Sequence, residues 1–327
     1  MKVAIFSAHG FEKEYLEAAN QGRHDLLWLD AWLDAQTVAL AKDCEAVCLF
    51  VNDDASEKPL QMLAQNGVKN LALRSTGFNH VDLEAAKRLK MRVARVPDYS
   101  PYSVAEHTVA LMLALNRKLI RANRRVMELN FSLNGLVGFD MRGKTAGIIG
   151  IGKIGGVLAK ILHGFGCELL GFDVAANPAM AEYGLAYTDL DTLLRKSDII
   201  SLHLPLNTQT RYIINADSIA KMKPGVMLIN TSRGGLVNTL DVIKALKSGQ
   251  IGALGLDVYE EEQSLFFEDH SNTILQDDTI ARLLTFSNVL ITSHQAFLTD
   301  TALRNIAETT FENLDCFECG VACENEI

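Results

Sequence analysis

No stretch of the sequence reaches the roughly 18 consecutive apolar residues that a membrane-crossing helix requires, so no bilayer span is expected. The opening residues, MKVAIFSAHG, lack the long apolar core and small-residue cleavage site of a secretory signal. Positive charge is in short supply: 31 Lys and Arg stand against 40 Asp and Glu, a formal net charge of −9. Such a surface repels phosphate backbones and anionic lipids, which excludes nucleic acid and membranes as expected partners. Proline is scarce, and no Pro-rich linker, low-complexity tract or internal repeat divides the chain. These absences together predict a cytoplasmic globular protein. Six cysteines are present, three of them close together as Cys316, Cys319 and Cys323. No fourth ligand lies beside that group, and it reads as ordinary reduced thiols with no metal.

What the sequence does have is length and apolar content: 327 residues, 48% of them hydrophobic, enough for two substantial cores. Short β-rich apolar runs alternate with helical stretches from end to end, the pattern of parallel sheets built from βαβ units. The first hundred residues carry KVAIFS, EAVCLFV, NLALRS and RVARVP; later come TAGIIGIG, ELLGFD, DIISLHL, VMLINTS, GALGLDVY and NVLITSH. The fold class is therefore α/β, with two doubly wound parallel-sheet domains. Their seam is a helix start, YSPYSVAEHTVALMLALNR, where Ser100 can cap and Pro101 suits the first helical position. Ser103 and Glu106 offer a fallback capping box. Domains at about 1–99 and 100–297 follow, and the remaining LTDTALRNIAETTFENLDCFE is one more amphipathic helix that composition alone assigns to neither. The segment RKLIRANRRVMELNF places Arg117, Arg121, Arg124 and Arg125 on an amphipathic face, read as solvated or as a subunit contact.

TAGIIGIGKIGG runs from an apolar strand into a helix, with Gly150, Gly152 and Gly155 in G-x-G-x-x-G spacing. The first glycine allows a tight turn, the second lets backbone approach a pyrophosphate, and the third seats the helix close to its strand. The motif alone is weak. It gains strength from Asp173, which ends the next strand, ELLGFD, in position to accept hydrogen bonds from an adenosine ribose diol. Asp173 repels a 2′-phosphate, and the following Val174, Ala175 and Ala176 supply no arginine to hold one, so NAD is expected over NADP. Lys153 and Ile154 line the same turn.

Ligands of open parallel sheets bind beyond the carboxyl ends of the strands. Three later strands end in ionisable groups: VMLINTSR in Arg233, GALGLDVYEEE in Asp257 through Glu262, and VLITSH in His294. Arginine's planar fork grips a carboxylate and polarises an adjacent carbonyl. Histidine can protonate a developing alkoxide, and a neighbouring acid would orient it and raise its pKa. The set suits hydride transfer to a 2-oxo acid, with Gly234 and Gly235 expected to leave room for a small anion before the guanidinium. Of the other histidines, His203 in SLHLP reads as lining the cofactor cleft or as a core residue. The remaining six read as structural or exposed.

At this point the chain resembles a known family over nearly its whole length, the NAD-dependent D-2-hydroxyacid dehydrogenases, and is most similar to its fermentative, lactate-forming branch. The carrying motifs are LRSTGFNHVDL, RVPDYSPYSVAEH, GKTAGIIGIGKIG, NTSRGGLV, LDVYEEE and TSHQAFLT. The resemblance implies that Arg233, Glu262 and His294 form an Arg–Glu–His triad, the family's pattern counted from Asp257 selecting Glu262. It implies that Tyr99 and the backbone about Ser75 and Gly77 hold the substrate carboxylate. It also carries cofactor contacts to Lys153, Ile154, Asp173, Leu204, Pro205, Thr231 and Asp257. The family topology inserts the Rossmann NAD-binding domain, 100–297, into a flavodoxin-like substrate domain formed by 1–99 and 298–327. Pyruvate reduction by a homodimer or homotetramer is the implied activity, with bulkier 2-oxo acids or glyoxylate as alternative substrates. An NADH-sensing, corepressor-like interaction protein is the alternative of another class. Thr76 and His80 stand where relatives often carry a small residue and an asparagine, which bears on substrate chain length.

Overall fold

The computed structural model describes residues 1–327, the side chain of Ser264 excepted. Two compact units result: Met1–Ser100 with Leu298–Ile327, and Pro101–Phe297. Among the described residues no helix is long and apolar enough to cross a membrane.

The first unit holds five strands, β1 Lys2–Ile5, β2 Asp25–Trp28, β3 Ala46–Leu49, β4 Asn70–Leu73 and β5 Arg92–Ala94. They pair in the order β2-β1-β3-β4-β5, every pair parallel, which is the flavodoxin-like order. The strand sequences are apolar almost throughout because both faces are covered. Successive residues serve opposite cores: Ala4 and Phe6 pack with Leu33, Leu60 and Leu63, while Val3 and Ile5 pack with Ala307, Phe311 and Leu314. The latter three sit on the helix Asp300–Glu318, capped by Thr299, whose hydroxyl accepts from Ala302 N. That terminal helix therefore buries its apolar stripe on the first sheet, and the fully buried Phe311 alone contributes about 1.5–3 kcal/mol.

The second unit holds seven strands: β6 Thr145–Ile149, β7 Glu168–Phe172, β8 Leu185–Tyr187, β9 Ile199–Leu202, β10 Val226–Asn230, β11 Ile251–Leu256 and β12 Val289–Ile291. Their order is β12-β11-β10-β9-β6-β7-β8, again with all pairs parallel. The strand order reverses between β6 and β9, the switch point at which doubly wound sheets bind ligands. Alternation again feeds two cores, Val226 and Leu228 on one face, Met227 and Ile229 on the other. The helix Pro101–Asn116 begins at the proline, as its fixed φ favours. Two edge strands, β2 and β8, were not marked by apolar runs. Both are short, and β2, although its DLLW sequence is largely apolar, is exposed or half-buried throughout.

Candidate active site

All the candidate cofactor and triad residues lie in the second unit, at the carboxyl end of its sheet. Gly150 follows β6 at φ +96, and a Cβ there would stand 2.3 Å from the His203 carbonyl oxygen. A Cβ on Gly155 would stand 2.0 Å from the Gly150 carbonyl oxygen, so the helix Lys153–Gly164 can sit on its strand only with glycine there. Gly152 differs: nothing lies within 4 Å of its Cβ position. It is the N-cap of that helix, with no side-chain cap. Open space before uncapped helical amides fits a pyrophosphate. Lys153 is the first helical residue, and Ile154 is half-buried against the core.

Asp173, just past β7, accepts from Ile151 N at 2.6 Å and Ala175 N at 3.2 Å. Its carboxylate thus braces the glycine-rich turn and retains lone pairs for a diol. Leu204 and Pro205 follow β9; the Leu204 side chain would lie 3.1 Å from a Cβ on Gly150, and the Pro205 carbonyl accepts from Thr210 Oγ1 at 2.6 Å. His203 donates its backbone N–H to Ile149 O at 2.7 Å, and its Nε2 meets Ser201 Oγ at 2.8 Å. Its Nδ1 is enclosed without a partner, and burial pushes the ring's pKa down to about 4. The ring is neutral near pH 7 and unsuited to donate a proton there.

Strands β10, β11 and β12 are consecutive neighbours, so the groups beyond their ends share one sheet edge. Thr231 is buried directly after β10. Buried Asn230 then organises the turn, accepting from Ser232 N at 3.1 Å and donating to Arg233 O at 2.9 Å. The half-buried Arg233 spends one donor, Nη1, on Ser232 O at 2.6 Å. Among the described residues no carboxylate pairs with its guanidinium, which leaves the fork available to an anion. The glycines after it do not open that space. A Cβ on Gly234 would lie 2.1 Å from the Tyr259 carbonyl carbon, and one on Gly235 would lie 2.9 Å from Leu206 Cδ2. Gly234 is pressed against the backbone leaving β11 and Gly235 against the Leu206 side chain, which corrects the expectation drawn from sequence.

Asp257 stands just past β11 and is fully buried. Burial pushes its carboxyl up, but hydrogen bonds from His107 and Thr292 outweigh it and leave the pKa below the ordinary value. Its oxygens accept from Thr292 Oγ1 at 2.6 Å, Gln295 N at 2.9 Å and Ala296 N at 2.9 Å. The Asp257 carbonyl accepts from His294 N at 2.7 Å. These bonds hold His294 at φ +49, a left-handed conformation that a non-glycine residue keeps only when its surroundings impose it. His294 Nδ1 then meets Glu262 Oε1 at 2.8 Å, and the other Glu262 oxygen accepts from Tyr259 N at 2.8 Å. Glu260, by contrast, is occupied by Tyr212 and Arg211. With Glu262 accepting from Nδ1–H, Nε2 is the nitrogen left to exchange a proton with a ligand. Arg233 and His294 leave the sheet on strands two apart, about 10 Å at the usual inter-strand spacing.

Such an arrangement suits hydride transfer at the edge of a Rossmann sheet. Residues 109–296 match the family model described as the D-isomer specific 2-hydroxyacid dehydrogenase NAD binding domain. The chain belongs to the D-isomer specific 2-hydroxyacid dehydrogenases. It is an NAD-dependent oxidoreductase of that family. The D-lactate dehydrogenase of Escherichia coli K12 is 50% identical, each chain covered in full. Among solved structures, the pyruvate reductase of Chlamydomonas reinhardtii superposes with a TM-score of 0.94 at 46% identity, covering 99% of this chain and 98% of that one. The Aquifex aeolicus D-lactate dehydrogenase complexed with NAD and lactic acid gives a TM-score of 0.86 at 34% identity, covering 97% and 96%.

In the first unit, Ser75 follows β4 and its hydroxyl donates to Gly77 O at 2.7 Å, closing a tight loop. Arg74, immediately before it, is fully buried and meets both Glu12 oxygens at 3.0 Å, as well as the carbonyls of Phe6, Ser7 and Cys48. The Tyr99 carbonyl accepts from Asn305 Nδ2 on the terminal helix. Sequence reasoning missed this Arg74–Glu12 scaffold, and likewise His107 and Thr292 beside Asp257. A buried arginine carries no local signal in sequence, since its partner is 62 positions away.

Proposed function

We propose that the protein reduces pyruvate to D-lactate, reversibly, with Arg233, Glu262 and His294 in the catalytic roles. The observation that carries this reading is the 2.8 Å hydrogen bond from His294 to Glu262 at the sheet edge that also presents Arg233. NADH, when bound, supplies the hydride that reaches C2 of the 2-oxo acid. Gly150, Gly152, Lys153, Ile154 and Gly155 would hold its pyrophosphate, Asp173 its ribose, and Leu204, Pro205, Thr231 and Asp257 the nicotinamide side. Arg233 grips the substrate carboxylate and draws electron density from the neighbouring carbonyl. His294 gives its Nε2 proton to the carbonyl oxygen as the alkoxide develops, while Glu262 fixes the ring through Nδ1. From the first unit, the Ser75–Gly77 loop and Tyr99 are assigned to the carboxylate. Oxidation of lactate runs the same steps backward, with neutral His294 taking the hydroxyl proton.

The small substrate is supported by relatives named D-lactate dehydrogenase and pyruvate reductase. Purified protein with NADH should lose nicotinamide absorbance on adding pyruvate, yielding D-lactate by chiral analysis. Its kcat/KM on pyruvate should exceed those on phenylpyruvate and glyoxylate. A higher value on either competitor overturns the pyruvate assignment, and L-product overturns the stereochemistry.

A homo-oligomer is the second part of the proposal. Helix Leu119–Met127 buries none of its residues, and Ile120, Met127, Leu129, Phe131, Leu133 and Val137 are all more than 60% exposed. Monomers seldom leave so continuous an apolar tract in water. Light scattering on the eluting protein should give twice the 35.9 kDa chain mass or a higher even multiple; a monomer mass removes this part.

A further inference from the structure

Two consecutive residues on the helix Pro101–Asn116, His107 and Thr108, reach the strand ends that carry the triad. His107 Nε2 lies 3.0 Å from Thr292 Oγ1 and 3.4 Å from Asp257 Oδ1. Thr108 Oγ1 lies 2.9 Å from Thr231 Oγ1. Donor arithmetic orients both contacts. The Thr292 hydroxyl gives its single proton to Asp257 Oδ1 at 2.6 Å, so it can only accept from His107, which must carry a proton on Nε2. The Thr108 hydroxyl donates to Val104 O at 2.8 Å, so Thr231 donates to Thr108.

The chain of bonds therefore runs from His107 through Thr292 to Asp257, and from Asp257 to the amides of Gln295 and Ala296 and, by its carbonyl, to the amide of His294. Every link beyond His107 constrains the backbone that holds His294 at its positive φ. Asp257 is wholly enclosed, so its ionised carboxylate needs each donor it has. His107 comes from the helix Pro101–Asn116, whereas Thr292 and Asp257 stand just past strand ends.

We propose that His107 is a positioning residue for His294, acting through Thr292 and Asp257 and touching neither substrate nor cofactor. The inference rests on the reading of His294 as proton donor. Its physical content is that the Nε2–H donor clamps the Thr292 hydroxyl and the Asp257 carboxylate in one arrangement. Without that donor, the 292–296 backbone gains a second arrangement in which Nδ1 of His294 no longer meets Glu262. Misplacement of about 1 Å in a reacting group is enough to cost roughly a hundredfold in rate.

The test is steady-state pyruvate reduction at saturating NADH by His107→Leu, His107→Asn, His107→Gln, His294→Ala and the double variant H107L/H294A. Leucine supplies no donor, and the asparagine amide falls short of Thr292, whereas the glutamine amide reaches it. The expected result is a fall in kcat of about ten- to a hundredfold for leucine and asparagine, with KM for pyruvate within about twofold of wild type. Glutamine should recover most of the loss. The double variant should be no slower than His294→Ala alone, because a residue that works through His294 has nothing left to position. Wild-type kcat in the leucine and asparagine variants, no recovery with glutamine, or losses that multiply in the double variant would each overturn the proposal. Should His107→Leu fail to fold, the asparagine and glutamine pair decides alone. A His294→Ala enzyme that keeps wild-type kcat sinks the proton-donor reading itself, an outcome separate from the others.

Discussion

Replacing His294 by alanine is expected to lower kcat for pyruvate reduction by roughly 10²–10⁴-fold while leaving NADH affinity within about twofold. The size follows from what the ring does. Hydride arriving at C2 leaves negative charge on the carbonyl oxygen, and without a positioned acid that charge must wait for water. The ring's own fixation makes the loss large: Glu262 takes Nδ1 at 2.8 Å, and the Asp257 carbonyl takes the backbone amide at 2.7 Å. Alanine can keep the backbone bond, so the loop and the nicotinamide side should persist and the defect should fall on chemistry. Fluorescence titration with NADH beside stopped-flow turnover separates the two. Near-wild-type turnover would remove His294 from the mechanism. His203 is no substitute, since burial has already pushed its pKa down to about 4.

Arg233→Lys should reduce kcat/KM for pyruvate by between about ten- and two-hundredfold, the equivalent of one charge-assisted hydrogen bond of about 1.5–3 kcal/mol. Charge is conserved, so a purely electrostatic role would survive the change. Geometry does not survive. Arg233 gives Nη1 to Ser232 O at 2.6 Å, which anchors the guanidinium plane. An ammonium satisfying that same carbonyl presents no rigid fork, and gripping the carboxylate while polarising the carbonyl then compete. KM should therefore rise and kcat fall together. A variant with unchanged kcat and only a raised KM would restrict Arg233 to binding.

Much of the candidate site was legible because its signals are local. The G-x-G-x-x-G spacing reports a turn, a helix start and a close approach within six residues, and the acid at the end of the next strand is read from strand periodicity. Arg233, Asp257 and His294 were visible as ionisable groups terminating apolar runs, which is chemically costly without a purpose. Gly234 and Gly235 were legible as glycines but misread in cause: the space they leave is filled by the backbone after β11 and by Leu206. The edge strands β2 and β8 escaped notice because they are only four and three residues long.

The sequence by itself determined that this is a parallel α/β protein with a dinucleotide turn, since run length, glycine spacing and strand-end charge are all properties of neighbouring residues. Only the tertiary structure decided which strand ends meet. The order β12-β11-β10 places His294, Glu262 and Arg233 beyond the ends of neighbouring strands, and the packing of one helix brings His107 to Thr292 across 185 positions. Such pairings come from burying both faces of a sheet, a long-range demand that no local pattern encodes.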